Sequence, residues 1–239
     1  MTYKKVVAFG DSFTRGDELA DCPPQLFQGN PFAHSTLTWP ALLAHQLGIE
    51  YDCRAMGARG NQFISNQVNR HINSADNYLF IVNWTYFGRF DFLDHDDLWS
   101  TICPGSVEQK FETDYYKIYD NDIWNLNRNL QIMHSVLSLL REYKIDFIFT
   151  CHDSTFKKTF NNLRTYQSEL QNHWQKSIEV LSKSVVPTIT EFEGLTFREW
   201  TDKHDYPVGP GHHPLEKAHT EAAKYINTNV IEGKNYEHR

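Results

Sequence analysis

The chemistry-bearing residues nearest the start of the sequence follow a short apolar run. Residues 5–9 break abruptly into Gly10-Asp11-Ser12. A buried strand that ends in a glycine turn presents the hydroxyl group of the next serine at the rim of a sheet, where a nucleophile meets its substrate. Taken alone, the same residues are also typical of a plain turn and helix N-cap. Because the GxSxG spacing is missing, the nucleophile elbow of α/β-hydrolases is excluded.

A candidate base lies near the other end of the sequence. A nucleophilic serine needs an imidazole within hydrogen-bond reach to take its proton. The stretch Gly211-His212-His213-Pro214 supplies two imidazoles directly before a helix-like segment. We expect His213 to act, because the proline after it fixes the backbone at the rim of the sheet. His212 is the rival, and the local sequence does not choose between them.

Metal and cofactor sites are weaker interpretations of the same residues. The groups with metal-ligand chemistry near the end of the sequence are His204, Asp205, His212, His213 and His219. Two of these histidines are adjacent, and adjacent side chains rarely converge on one ion. The acidic run 94–97 lacks the spacing and the glycine of an EF-hand, so it favours a solvated loop. Residues 57–60 lack GxGxxG. We therefore expect neither a metal nor a cofactor.

The elements that must position these residues alternate along the chain. Apolar runs with the length of buried parallel strands cover residues 5–10, 78–83, 145–151 and 185–189, with a weaker run at 49–53. Helical periodicity covers residues 38–48, 123–143, 166–182 and 215–227. Strands that alternate with helices imply right-handed crossovers and a doubly wound parallel sheet, here of about five strands. The predicted fold class is therefore α/β.

Two long segments do not fit short strand-to-helix connections. They are residues 16–37, and residues 84–121, which are aromatic and acidic. Both follow the carboxyl ends of predicted strands, which is the edge where open α/β sheets bind ligands. Long loops inside compact domains are usually functional, so we expect both segments to cover the candidate site. The aromatic side chains of the second segment would either stack on sugar or acyl groups or cap the core.

Composition limits the classes of partner. The chain has 239 residues, a formal charge of −7 and a pI near 5.9, with no basic block. This balance argues against nucleic acid and anionic membranes as partners. The four cysteines lack CxxC spacing and indicate reduced thiols. The sequence has neither a signal-peptide pattern nor an apolar run long enough to cross a membrane. We therefore expect a cytoplasmic protein with one domain over residues 1–239.

The order of the motifs resembles the SGNH (GDSL-type) hydrolase family. The matching features are Gly10-Asp11-Ser12 after the first strand, a glycine after the second, a polar residue after the third and His213-Pro214 near the end. The resemblance implies a flavodoxin-like three-layer α/β/α sandwich. It also implies ester hydrolysis with Ser12 as the nucleophile and His213 as the general base.

The family's two middle motifs imply an oxyanion hole. Its second motif, a glycine whose N–H binds the oxyanion, matches Gly57, with Gly60 as the alternative. Its third motif is altered: Asn83 stands at the end of the third strand, and Thr85 is the other candidate for the oxyanion role. The Trp-Thr-x-x-x-Arg pattern that ends at Arg89 resembles a branch with phage-encoded members, which implies a viral origin.

The last motif departs from the family. SGNH hydrolases carry an aspartate three residues before the catalytic histidine, where this sequence has Pro210. Asp205, Asp202 or a backbone carbonyl would then have to orient the imidazole. The sequence therefore predicts an esterase or acetylesterase with a Ser-His dyad or triad, acting on a small-molecule or carbohydrate ester. The alternative is a catalytically weak or inactive SGNH-fold binding or virion-associated module.

Overall fold

A parallel sheet forms the centre of the molecule. The computed structural model describes residues 3–23, 30–74, 76–104, 110–152, 154 and 169–233. The strands over these residues are β1 (Lys5–Phe9), β2 (Glu50–Cys53), β3 (Tyr78–Trp84), β4 (Phe90–Leu93), β5 (Trp99–Ile102) and β6 (Asp146–Cys151). The main sheet has four strands in the order β2-β1-β3-β6, all parallel. This order confirms the doubly wound pattern expected from the alternation of elements.

The run 185–189, which the sequence predicts as a strand, forms only a single bridge with the sheet. Within residues 185–189, Val186–Thr188 form a 3-10 turn, and Ile189 alone pairs with Phe149 of β6 in parallel. Pro187 has no N–H to donate to a sheet, which explains why the apolar run turns instead of extending. The run still occupies the fifth position of the sheet, although it does not form a strand there.

Eight α-helices are described around the sheet. They are α1 (Ser12–Arg15), α2 (Trp39–Leu47), α3 (Asn61–His71), α4 (Lys110–Tyr119), α5 (Asp122–Glu142), α6 (Glu169–Val185), α7 (Phe197–Lys203) and α8 (Glu216–Ile226). The four predicted helices correspond to α2, α5, α6 and α8, although residues 166–168 lie outside the described part of the chain. Gly48, with a φ of 67°, ends α2 in the left-handed conformation.

Helices cover both faces of the sheet. On β1, Val7 and Phe9 pack with α3, α5 and α6, whereas Val6 and Ala8 pack with α2, α7 and α8. Side chains alternate between the faces of a strand, so a strand covered on both sides is apolar throughout. The result is the three-layer α/β/α sandwich that the sequence predicts.

The segment 84–121 contains regular structure, which the sequence analysis missed. β4 and β5 form an antiparallel hairpin, and α4 follows it. Phe90 and Phe92 stack on one side of β4, which is the period-two pattern of a strand. Residues 105–109 of this segment, and residues 24–29 of the segment 16–37, lie outside the described residues. No described helix is both long and apolar enough to cross a membrane.

Candidate active site

The turn between β1 and α1 fixes the candidate nucleophile. Ser12 is the first residue of α1 and its side chain is only 6% exposed. The chain turns sharply at Gly10, where an added Cβ would lie 2.1 Å from Oγ1 of Thr14. Only glycine fits such a close approach, so the residue type at position 10 follows from the path of the backbone. The turn leaves Ser12 at the carboxyl end of the central strand.

A buried cluster of Asp11, Arg89 and His152 stabilises this turn. The carboxylate of Asp11 caps α1 by accepting the Phe13 N–H at 3.1 Å. Its Oδ2 accepts the Thr85 hydroxyl at 2.6 Å and Arg89 Nη1 at 2.6 Å, and lies 3.3 Å from His152 Nε2. Burial alone would raise the pKa of Asp11, but the charges and hydrogen bonds of His152, Arg89 and Thr85 lower it well below its usual range.

His152 is a member of the site that the sequence analysis missed. It follows β6 directly and is 3% exposed. Its ring stacks on Phe13, with the centroids 4.4 Å apart, and meets Tyr86 edge-on at 4.7 Å. The only available signal was its position, because the carboxyl end of β6 opens on the same edge as the other candidate residues.

The loop after β2 runs alongside the serine turn. The Arg54 N–H donates to the Ala8 carbonyl at 2.7 Å, and the Met56 N–H donates to the Gly10 carbonyl at 3.2 Å. These two bonds continue the pairing of β1 with β2 and carry Gly57 to the neighbourhood of the turn.

Gly60 is the other glycine considered as an oxyanion donor, and its N–H already has a partner in the structure. Its N–H donates to Oδ1 of Asp91 at 2.8 Å. An added Cβ at Gly60 would lie 2.6 Å from the same carboxylate. The Gly60 N–H is therefore engaged within the protein.

Asn83 lies in the buried network beneath the turn. Its Nδ2 donates to Oγ1 of Thr14 at 3.2 Å and lies 3.4 Å from His152 Nδ1. Its Oδ1 accepts the Thr150 hydroxyl at 3.0 Å. The rival, Thr85, uses its hydroxyl on Asp11 and its N–H on Asn61 Oδ1 at 2.8 Å. The hydroxyl and the N–H of Thr85 are thus both engaged within this network.

The two histidines of the Gly-His-His-Pro stretch have different surroundings. The His213 ring packs against Phe13, the residue after Ser12, with the centroids 5.2 Å apart. The His212 side chain is exposed, and its backbone has a φ of 63°. The structure therefore brings His213, and not His212, to the helix that carries Ser12.

The second ring nitrogen of His213 is held by a residue that the sequence analysis missed. Nδ1 of His213 lies 2.7 Å from Oε2 of Glu18. Among the acids considered earlier, Asp202 pairs with Arg198 at 3.1 Å and Asp205 is exposed. Glu18 and His213 are 195 positions apart, so no local pattern near the histidine indicates the contact.

The residues considered as possible metal ligands have separate partners among the described residues. His204 pairs with Glu193, His213 with Glu18, and His219 accepts the Trp39 N–H. Asp94, His95 and Asp96 do lie close together. Asp94 accepts the N–H groups of residues 96 and 98, as in a surface turn.

Solved structures resemble this arrangement of layers. No protein-family model matches the chain, and no curated protein sequence matches it. A carbohydrate esterase family 2 enzyme with a carbohydrate-binding domain, from Corynascus thermopiles, superposes with a TM-score of 0.51 at 12% identity, over 98% of this chain and 67% of that one. A psychrotrophic esterase from a Pseudoalteromonas species gives 0.50 at 9% identity, over 97% and 99%. The likeness to these two structures is one of fold. A member of the lipolytic protein G-D-S-L family from Veillonella parvula gives 0.49 at 13% identity, over 95% and 98%.

The parallel sheet explains why residues so distant in sequence lie at one edge. Ser12 follows β1, Gly57 follows β2, Asn83 is the last residue but one of β3, and His152 follows β6. The carboxyl ends of parallel strands share one edge of the sheet, so each connection contributes a side chain or an N–H there. His213 approaches the same edge from the loop before α8.

Proposed function

We propose that the chain is a serine ester hydrolase that uses Ser12 and His213. The observation that carries this proposal is the packing of the His213 ring on Phe13, next to Ser12, at the carboxyl edge of the sheet. In serine hydrolases the nucleophilic hydroxyl loses its proton to an imidazole that acts as general base. The likeness in fold to solved esterases is in line with this reading.

The proposed reaction proceeds by acyl transfer. Ser12 Oγ attacks the ester carbonyl while His213 Nε2 takes its proton, which gives a tetrahedral oxyanion. The protonated His213 then donates that proton to the departing alcohol, leaving an acyl group on Ser12. A water molecule then attacks the acyl carbon while His213 takes its proton. His213 passes this proton to Ser12 Oγ as the bond between Oγ and the acyl carbon breaks, which releases the acid and restores the serine.

The oxyanion needs N–H donors fixed near Ser12. We assign this role to the Ser12 and Gly57 backbone N–H groups and to the Asn83 amide. The assignment of Gly57 is supported by the pairing of residues 54–56 with the end of β1. Asn83 Nδ2 has two contacts, at 3.2 Å to Thr14 Oγ1 and at 3.4 Å to His152 Nδ1. We propose that an oxyanion replaces the longer one, with His152.

The proposed substrate class is a small acyl ester, with a carbohydrate O-ester as the first choice. Tyr86 lies just beyond β3, is 37% exposed, and packs on His152. A partly exposed aromatic side chain at this edge of the sheet suits contact with a sugar ring. The Corynascus protein is named a carbohydrate esterase, which agrees with this choice.

The decisive experiment compares p-nitrophenyl acetate turnover by the wild type and Ser12→Ala. We expect the variant to lose nearly all turnover, and fluorophosphonate labelling of the wild type to be lost with it. Ser138→Ala is the matched control, because that hydroxyl lies exposed on α5 and bonds only within its helix. Equal turnover by the wild type and Ser12→Ala would exclude the proposal.

The alternative, an SGNH-fold binding or virion-associated module, stays a prediction. Its motive was Pro210 in the place of the family's aspartate. A carboxylate on His213 Nδ1 weakens that motive. A folded wild type that never reacts with fluorophosphonate would favour the alternative, since labelling requires an activated serine. The viral origin and cytoplasmic location likewise stay predictions.

A further inference from the structure

Glu18 makes a dense set of hydrogen bonds with the loop that carries His213. Its Oε1 accepts the Gly211 N–H at 2.7 Å. Its Oε2 accepts the His213 N–H at 3.2 Å and lies 2.7 Å from His213 Nδ1. Both oxygens are therefore used, and each is used by the same short loop.

The loop is shaped around this carboxylate. An added Cβ at Gly209 would lie 2.7 Å from the Glu18 carboxyl group, and one at Gly211 would lie 3.0 Å from it. Any side chain at position 209 would push Glu18 away. Glu18 itself has a φ of 70°, a backbone conformation that is unfavourable for a residue other than glycine. The hydrogen bonds of Glu18 to Gly211 and His213 therefore hold it in this unfavourable backbone conformation.

The carboxylate is ionised over the whole range in which His213 would work. Burial tends to raise the pKa of Glu18, but the hydrogen bonds from the Gly211 N–H, the His213 ring and the His213 N–H lower it below its usual value. The other titratable group that interacts with His213 is His219 of α8, through a charge–charge effect. Burial lowers the pKa of His219 to about 3, so His219 stays neutral at working pH. Glu18 is thus the charged partner of His213.

We infer that Glu18 is the positioning residue for His213 and replaces the aspartate that the SGNH pattern places at position 210. The inference rests on the proposed function of Ser12 and His213. An anion on Nδ1 fixes the ring with its N–H toward Glu18, so that Nε2 takes the serine proton. The same anion stabilises the imidazolium that forms in the transition state.

This arrangement places the nucleophile and the carboxylate on one segment. Ser12 and Glu18 both belong to the connection after β1, six positions apart. In the family pattern the carboxylate is a neighbour of the histidine instead. The connection after β1 therefore supplies two of the three polar groups of a triad.

The test compares Glu18→Gln with a matched control, Glu216→Gln. Glu216 holds the same connection by accepting the Ala20 N–H at 2.9 Å, but its side chain is not the one that contacts His213. We expect Glu18→Gln to lower kcat for p-nitrophenyl acetate by about two to four orders of magnitude, because loss of an orienting carboxylate has that effect in serine proteases. KM should change little, and Glu216→Gln should retain its kcat.

Two further readouts separate positioning from a merely structural role. The acid limb of the kcat/KM profile should move to lower pH in Glu18→Gln, because the imidazolium loses its anion. In Glu18→Ala, added formate should restore part of kcat, since a small carboxylate fits the space between Gly209 and His213. Chloride at the same ionic strength should not restore it.

A proton NMR measurement tests the contact without turnover. We expect a low-field resonance from the His213 Nδ1 proton in the wild type and in Ser12→Ala, and its loss in Glu18→Gln and His213→Ala. If the resonance and kcat survive in Glu18→Gln while Ser12→Ala is inactive, the role of Glu18 is overturned and the proposed function stands. If the wild type shows no Ser12-dependent turnover, the proposed function and the role of Glu18 both fail.

Discussion

At the scale of single residues, the site depends on a charge pair that is removed from water. Asp11 is fully buried, and its partner Arg89 is nearly so. Arg89 Nη1 also donates to the Arg59 carbonyl and to the Thr85 hydroxyl. A buried ion pair of this kind adds little net stability when it is intact, but breaking it leaves an uncompensated charge. Its contribution here is to fix the turn before Ser12.

We expect Asp11→Asn to destabilise the fold by about 3–5 kcal/mol, the range for buried pairs that lose one partner. Asparagine is as good an N-cap as aspartate, so the loss reports the charge and not the cap. Urea unfolding gives the free energy, with Ser12→Ala as the control for a neutral change at the next position. A midpoint for Asp11→Asn equal to that of the wild type would contradict the expectation.

How far the sequence predicts the site depends on the distance between partners. The turn at Gly10 and Ser12 and the strand predicted over residues 78–83 are local patterns, and both are confirmed, with the strand ending one residue later at Trp84. Glu18 and His152 escaped prediction because their partners lie 195 and 141 positions away. Apolar periodicity identifies strands and helices, but it carries no information on which polar side chains face each other across a sheet edge.

At the scale of elements, two helices meet at a buried histidine. His219, in the first turns of α8, accepts the N–H of Trp39, the first residue of α2, at 3.0 Å. The same ring has a hydrogen bond with the Pro214 carbonyl, next to His213. α2 and α8 pack on one face of the sheet, so His219 fixes how their ends lie relative to the loop that carries the candidate base.

This contact predicts a pH dependence of stability. Burial, with a smaller effect of His213, lowers the pKa of His219 from 6.5 to about 3 in the folded state. Between these values the unfolded chain binds a proton that the folded chain does not. Stability should therefore fall as pH falls below 6.5, by up to about 1.4 kcal/mol per pH unit.

His219→Asn removes the titrating group and keeps an acceptor for Trp39. We expect urea midpoints between pH 7.5 and 5 to decline less steeply in this variant than in the wild type. The difference between the two curves is the informative quantity, because all other titrating groups are shared. Parallel curves would mean that the folded protein protonates His219 as readily as the unfolded chain.

Two glycines that end elements give a matched comparison of backbone and packing effects. Gly48 ends α2, and an added Cβ there would meet open space. Gly48→Ala should therefore lower the free energy of unfolding only by the strain of the left-handed conformation, about 1 kcal/mol. Gly10→Ala would press a methyl group on Thr14 and should cost about 1–3 kcal/mol or more. Turnover should fall in Gly10→Ala alone. Equal unfolding free energies and equal turnover in the two variants would contradict this view of the turn.

At the scale of the whole molecule, the packing of the layers determines which cysteine thiols are exposed to solvent. Cys53 ends β2 and Cys151 ends β6, and both are buried, whereas Cys22 and Cys103 are partly exposed. Burial raises the pKa of Cys53 to about 11 and also raises that of Cys22. Within the described residues, none of the four cysteines forms a disulfide.

We expect a thiol reagent such as Ellman's reagent to modify Cys103 first, then Cys22, and to leave the two strand cysteines untouched in the native protein. A buried thiol that is not ionised is unreactive, and only opening of the sheet would expose it. Peptide mapping after a timed reaction identifies the modified sites, and urea should make all four react. Rapid native labelling of Cys53 would mean that the edge at β2 opens readily.

The glycines that face Glu18 yield a sequence signature. Gly209 and Gly211 stand four and two positions before His213, and Glu18 stands six after Ser12. Other chains of this fold that lack the aspartate before the histidine, but share this spacing of glutamate and glycines, should build the same carboxylate–imidazole pair. Chains with bulky residues at the two glycine positions should not, and the distinction needs only aligned sequences.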